Sequence, residues 1–295
     1  MKCFIGIASA GRPGILRDTL QVLQAQTRPP DAIYICTPDD DPDDQAALTA
    51  AFGCIALKAP RGSCSQRNAI LDRLANEQGM LVIIDDDFIL TPRFLEEVGA
   101  LLEAHPGVAI LNANIIADGI IGPGIALADA QALIANYGPR VGEPTLEDCR
   151  SIYGCNMTIH LQHARDVRFD EALPLYGWQE DVDFSHRLKP FGRVVKTNLT
   201  AGVHLGVKQG RTPGVKFGYS QMVNPFYLVS KGTMSFRHGF GLATRNLVMN
   251  LLRSLKPEPY IDRRGRLLGN LRGVRAILSG DADPRRILDN QSALR

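Results

Sequence analysis

Five short apolar runs, each followed by a stretch of helical periodicity, fill the first 115 residues of this 295-residue chain. The runs are KCFIGIA, AIYIC, GCIALK, MLVII and GVAILNANI. They are nearly continuous in apolar residues, so they predict strands buried on both faces rather than strands with one wet side. Between them, GRPGILRDTLQVLQAQ places Ile15, Leu16, Leu20 and Leu23 at helical spacing. DDQAALTAAF, SQRNAILDRLANEQ and TPRFLEEVGALLEAH continue the alternation, the last with Thr91 as expected N-cap and Pro92 at its first helical position. Strands alternating with helices require crossovers, and the result is an α/β fold: a Rossmann-like, mostly parallel sheet flanked by helices.

The pattern loosens beyond. Residues 117–151 are marked by Gly and Pro (DGIIGPGIALAD, NYGPRVGEP) and predict a surface excursion with one helix. YGCNMTIHL reads as a further strand, EDVDFSHRLK as a helix and GRVVKT as a strand. From Pro213 onward the periodicity is helical in three stretches, with Pro257 and Pro259 separating the last two. This organisation predicts one domain over 1–230, with a regularly alternating half (1–115) and a looser half (116–230). A C-terminal helical tail, 231–295, follows.

A formal net charge of +2 conceals an asymmetry: residues 231–295 carry 13 Lys+Arg against 5 Asp+Glu, and the first 230 carry 20 against 26. A basic tail on an acidic body suits a phosphate-rich surface. The six cysteines contain no C-x-x-C pair, which fits buried, reduced thiols in a cytoplasmic protein. The apolar part of the N-terminal run is too short for a signal peptide, and no run approaches the 18 apolar residues of a membrane span.

In parallel α/β sheets, ligands sit beyond the carboxyl ends of the strands. Four consecutive strand ends here are polar: Ser9-Ala10-Gly11-Arg12, Pro38-Asp39-Asp40-Asp41, Arg61-Gly62 and Asp85-Asp86-Asp87. Arg12, Arg61 and Arg67 suit phosphates. The three aspartates need a cation, and an all-oxygen set favours a hard ion such as Mg²⁺ or Mn²⁺. Along an extended strand end Asp85 and Asp87 project to one side and Asp86 to the other. Asp87 is therefore expected to ligate the metal, with Asp85 near the ribose or reaching the ion through water, and Asp86 capping the loop or the next helix. A second acidic cluster, Glu180, Asp181 and Asp183, opens a helix, where the dipole favours negative charge. Tyr176 and Trp178, the only tryptophan, precede it and offer flat surfaces for a sugar ring. A carboxylate beside them could act as general base toward a hydroxyl.

With these motifs the chain resembles the family 2 inverting, nucleotide-sugar-dependent glycosyltransferases of the A-type fold, over roughly residues 3–230. IASAGRPGILRDTL, PRGSCSQRNAIL, VIIDDDFILTPRFLEE and YGWQEDVDFSHRL carry the likeness. The resemblance implies a catalytic domain with a nucleotide-binding half (1–115) and an acceptor-binding half (116–230). It implies that Ala8, Ser9, Arg12 and Asp39 surround the nucleotide base, that Arg67 lies near the nucleotide, and that Asp85 and Asp87 bind the ribose and metal-diphosphate, with Asp86 a further candidate for contact with the nucleotide-sugar. It implies Asp181 as general base and Glu180 as a sugar-binding partner, with Trp178 and Tyr176 toward the acceptor. His204 resembles a histidine that some members use as a further metal ligand; a lone histidine is also a common packed residue. The turn after the first strand reads Ser-Ala-Gly where Asn-Arg or Thr-Tyr is commoner, so uridine, thymidine and guanosine donors stay open, with a UDP-hexose favoured.

The expected reaction is transfer of that sugar, with Mn²⁺ or Mg²⁺, to a glycan acceptor hydroxyl on a lipid-linked surface-polysaccharide intermediate. Residues 235–295 alternate leucines with Arg245, Arg253 and Lys256, the composition of a helix in an anionic membrane interface, although packing on the catalytic domain would leave the same pattern. A peripheral position on the inner face of the plasma membrane would follow. Nucleic acid is not an expected partner, since aromatics in the tail are sparse. Two other readings are a sugar-nucleotide nucleotidyltransferase, which lacks its basic glycine-rich loop here, and a non-catalytic nucleotide-sugar-binding protein.

Overall fold

The structure is a computed structural model that describes residues 1–41, 46–137 and 145–288. The start of the expected second helix (43–45), part of the Gly/Pro-marked excursion (138–144) and the last seven residues of the tail lie outside the described residues. Contacts group the chain into two units. The first comprises Met1–Arg61, Ser65–Phe169 and Phe184–Gly210; the second comprises Gly62–Cys64, Asp170–Asp183 and the chain from Arg211 onward.

All described strands belong to the first unit. They are β1 (Cys3–Ala8), β2 (Ala32–Pro38), β3 (Ile55–Ala59), β4 (Met80–Asp85), β5 (Phe88–Leu90), β6 (Val108–Asp118), β7 (Leu146–Asp148), β8 (Asn156–His160) and β9 (Arg193–His204). They form one sheet in the order β3-β2-β1-β4-β8-β6-β9-β5, with β7 beside β9. The β3-β2-β1-β4 portion is parallel, as the alternation of runs predicts. β8 runs antiparallel between β4 and β6, while β6 and β9 are again parallel. The register aligns the carboxyl ends: Ala8 pairs with both Cys36 and Asp85, and Pro38 with Ala59. The polar residues that follow each strand therefore emerge at one edge.

The alternating strand residues Ile5, Ile7, Ile35, Val82 and Ile84 turn to one face. They pack there with Leu16, Leu20 and Leu23 of α1 (Pro13–Leu23) and Phe94, Leu95, Val98 and Leu102 of α4 (Phe94–Ala104). Each such buried side chain contributes about 1.5–3 kcal/mol. α3 (Ser63–Arg73) covers the other face, close enough that a Cβ at Gly6 would meet Ile70 at 3.0 Å. α2 (Ala46–Ala51), α5 (Leu127–Ala135) and α6 (Glu180–Leu188) complete the helices named so far. Two linked expectations are corrected: Thr91 does not cap α4 and Pro92 does not open it, because the helix begins at Phe94 with Arg93 as an N-cap without a side-chain bond. The Thr91 hydroxyl donates instead to Ala201 O of β9 at 2.9 Å, because the segment before it pairs as β5 rather than running on as loop.

The second unit is built on α7 (Gly214–Lys231), α8 (Phe236–Arg253) and α9 (Arg263–Leu278). α7 and α9 cross so closely that a Cβ at Gly218 would lie 2.1 Å from Arg266 O, and one at Gly269 2.0 Å from Val215 O. Amides fill the space between the helices. Asn250 donates to Gln221 Oε1 (2.9 Å) and Asn270 Oδ1 (2.8 Å), Gln221 donates to Asn246 Oδ1 (2.9 Å), and Asn270 donates to Gly218 O (2.8 Å). Asp262 caps α9 by accepting from Gly265 N at 2.8 Å. Among the described residues no helix is long and apolar enough to cross a membrane.

Candidate active site

Three strand ends of the first unit meet at the aspartate motif. β5 pairs with β9 so that Phe88 lies opposite His204, and β6 pairs with β9 so that Asp118 lies opposite His204. This register carries Asp87, next to Phe88, to the same imidazole. His204 Nε2 stands 3.4 Å from Asp87 Oδ1 and 3.8 Å from Asp85 Oδ2. One ligating atom from each of Asp85, Asp87 and His204 falls within 4.8 Å of the others, a grouping that could hold a metal ion.

Asp118 decides how the imidazole presents itself. His204 Nδ1–H donates to Asp118 Oδ1 at 2.9 Å, while Tyr153 Oη donates to Asp118 Oδ2 at 3.3 Å. The proton on Nδ1 leaves Nε2 turned to the two aspartates, the carboxylate–histidine–metal arrangement. Burial works to lower the His204 pKa. Hydrogen bonds to Asp118 and Asp87 and the charges of Asp85 and Asp87 outweigh it, holding the pKa up at about 10. Asp87 is also buried, which disfavours its charge. His204, Arg12 and the Val207 amide, which donates to Asp87 Oδ2 at 2.8 Å, hold its pKa below the ordinary range. The pocket thus favours added positive charge. Two carboxylates with an oriented imidazole suit Mn²⁺ well and Mg²⁺ acceptably, so the donor set fits the ion expected from the motif. Behind it, two glycines touch: a Cβ at Gly119 would lie 2.0 Å from Leu205 O, and one at Gly206 2.2 Å from the carbonyl carbon of Gly119.

Asp86 faces away from this group, as strand geometry predicts, and is fully buried. It accepts from Ser9 Oγ at 2.7 Å and pairs with an Arg12 guanidinium nitrogen at 2.5 Å. Burial pushes its pKa up to about 7 against the pull of Arg12. Thr19 Oγ1 of α1 donates to Asp86 O at 2.6 Å. Ser9, Arg12 and Asp86 thus form an internal tie between the ends of β1 and β4. Arg67, also buried, donates to Asp85 Oδ1 (3.1 Å) and Gly154 O (3.2 Å) and lies over the Phe169 ring. Ala8 ends β1 beside Asp85; Asp39 is exposed after β2, and the neighbouring Asp41 accepts from Gly11 N at 3.0 Å. Sequence reasoning missed Asp118, Tyr153 and Thr19. Asp118 opens the stretch DGIIGPGIALAD, which reads as surface excursion and gives no sign of the role.

The second unit holds the other predicted residues. Glu180, Asp181 and Asp183 occupy the first turn of α6. Asp183 is fully buried and salt-bridged to Lys231 at 2.8 Å, and Lys231 also reaches Asp170 at 2.5 Å. Glu180 is buried and Asp181 partly exposed, its Oδ1 accepting from Val182 N at 2.8 Å. Gln179, just before the helix, holds φ 76°, a conformation a non-glycine residue adopts only under constraint. Trp178 and Tyr176 stand 6.0 Å and 5.8 Å from the Phe217 ring, and Asn224 holds Trp178 O at 2.9 Å.

No family model matches the sequence, and no curated protein matches it. Solved structures do. S. aureus TarS 1-349 superposes with a TM-score of 0.56 at 12% identity, covering 97% of this chain and 82% of that one. The chain has the A-type glycosyltransferase fold. The same TarS fragment in complex with UDP-GlcNAc gives 0.53 at 12% identity, over 97% and 83%. Against a longer TarS structure the chain spans 49% of the length. Glucosyl-3-phosphoglycerate synthase from Mycobacterium tuberculosis, in complex with Mg²⁺ and UDP, gives 0.50 at 15% identity, over 77% and 78%. On this A-type fold, Asp85 and Asp87 stand at the end of β4 and in the turn after it.

Proposed function

We propose that this protein is a metal-dependent, inverting glycosyltransferase of the family 2 type. It would move a sugar, with a UDP-hexose favoured, to a hydroxyl of a glycan acceptor carried on a lipid at the inner face of the plasma membrane. The observation that carries the reading is the grouping of Asp85, Asp87 and His204 at the carboxyl edge of the sheet, with His204 oriented by Asp118. The UDP-GlcNAc and UDP in the structures with which the chain shares its fold support the donor class.

Asp85, Asp87 and His204 would hold the Mn²⁺ or Mg²⁺, which when bound would supply positive charge against the leaving diphosphate. Arg67 fixes Asp85, and the Ser9–Arg12–Asp86 tie holds the edge where Ala8 and Asp39 would border the nucleotide. Trp178 and Tyr176 offer the faces on which a sugar ring rests, beside Glu180. Asp181 takes the proton of the acceptor hydroxyl as that oxygen bonds to the anomeric carbon. The bond to the diphosphate breaks on the opposite side in the same displacement, so the configuration inverts.

The test is Asp181→Asn assayed with UDP-sugars and Mn²⁺. Turnover is expected to fall on the order of 10²–10⁴-fold, the usual contribution of a general base, while UDP binding persists. Full turnover in this variant would remove Asp181 from the role. Pyrophosphate exchange in place of UDP release would mark a nucleotidyltransferase, and inertness toward every nucleotide-sugar a binding protein.

A further inference from the structure

Helix α8 is inside out for a helix in water. Its buried residues are Gly239, Ala243 and Asn250, and its amides Asn246 and Asn250 point into the bundle toward Gln221 and Asn270. Its outer side carries Phe236, Phe240, Val248, Leu251 and Leu252, and Leu255, just past its end, is 84% exposed. α9 repeats the arrangement, with Gly269, Asn270 and Gly273 buried and Leu271 and Leu278 exposed. Of the sixteen large apolar side chains exposed among the described residues, eleven lie between 236 and 288, so exposed apolar side chains concentrate in this segment of the chain instead of scattering along it. A helix packed for water shows the reverse pattern. Small residues and amides between helices, with leucines outside, are what packing against hydrocarbon favours.

Charge narrows the occupant. Arg237, Arg245, Arg253 and Lys256 are exposed on α8 or just after it, and Arg264 and Arg275 on α9. The described acids of this region are already engaged. Glu258 pairs with Arg263, Asp262 caps α9, and Asp281 and Asp283 pair with Arg286 and Arg285. A second copy of the chain would bring like charges together across the leucines. A nucleic acid would meet apolar side chains where it needs cations. An anionic lipid surface accepts both the leucines and the arginines. Since no described helix is long and apolar enough to span a bilayer, we infer that the outer face of α8 and α9 lies in the interfacial layer of an anionic membrane. There Leu251, Leu252 and Leu255 would enter the acyl boundary, with Arg253 and Lys256 at the headgroups. This deepens the proposed glycosyl transfer by naming its surface, but its test needs neither donor nor acceptor.

The full chain is floated with vesicles of phosphatidylcholine alone and of phosphatidylcholine mixed with phosphatidylglycerol. It is expected to rise with the mixed vesicles and to lag with the neutral ones. The exposed triple substitution Leu251→Gln, Leu252→Gln, Leu255→Gln should keep its Tm and lower partitioning on the order of tenfold or more. Arg253→Gln with Lys256→Gln should lower it about fivefold per charge removed. The inference is overturned if the full chain stays at the bottom with anionic vesicles, floats equally on neutral ones, or floats unchanged in the triple variant. Retention on duplex DNA without flotation, or a stoichiometric dimer that the triple substitution dissolves, would also overturn it.

Discussion

Asp118 never faces the space between Asp85 and Asp87, yet it sets which nitrogen of His204 faces it. Asp118→Asn would leave every candidate ligand in place and loosen the imidazole. Mn²⁺ affinity, measured calorimetrically, is expected to weaken about 10–100-fold, the usual cost of losing such a partner. A charge pair in the second unit offers a pH test. Arg263 grips Glu258 through two hydrogen bonds (2.8 and 2.9 Å) and lowers its pKa from 4.5 to about 2. A carboxylate depressed in the folded state stabilises fully above its unfolded pKa and loses that contribution as pH falls through the folded one. The Tm difference between the parent and Glu258→Gln should therefore hold above about pH 4.5 and vanish toward pH 2. At this scale the strand period of two separated Asp86 from Asp85 and Asp87 in the sequence itself. Asp118 was illegible because nothing local marks it; only the register of β6 on β9, some 85 residues apart, brings it to His204.

The elements were legible where they were long. The apolar runs of β1 to β4 and the helical stretches of α7, α8 and α9 stand in the sequence near their observed places, even with Pro225 inside α7. β5 and β7, of three residues each, are too short to show a period, and their pairing to β9 is non-local. That is also why Thr91 reads as a helix cap and is found bonding a strand. The leucine spacing of α8 was visible, but the side it faced was not, since the same spacing serves a core or a surface. The amides show what set that side: Asn250 of α8 bonds Gln221 and Asn270, at the crossing where glycines let α7 and α9 touch. Gly269→Val would place carbon against Val215 O, where Cβ already has only 2.0 Å. Overpacking of this kind costs about 1–3 kcal/mol or more, and a lowered urea midpoint with the helix content of the folded state retained is the expected result.

At the scale of the molecule, alternation of strands and helices predicted the parallel half of the sheet well, because each unit of that alternation is local. The antiparallel β8 between β4 and β6 has no such signature, and neither does the composition of the second unit, which gathers 62–64 and 170–183 with the chain from 211. The pattern of α8, amides within and leucines without, has a kinetic consequence. A protein held on a surface searches for surface-borne acceptors in two dimensions, at an effective concentration that solution never reaches. With a lipid-carried acceptor in vesicles, the Leu251/Leu252/Leu255→Gln variant should show a raised apparent KM for acceptor and an unchanged kcat. With a water-soluble acceptor fragment the two proteins should be indistinguishable. Three side chains remote in sequence from every candidate catalytic group would then govern how often the reaction begins, and none of how fast it proceeds.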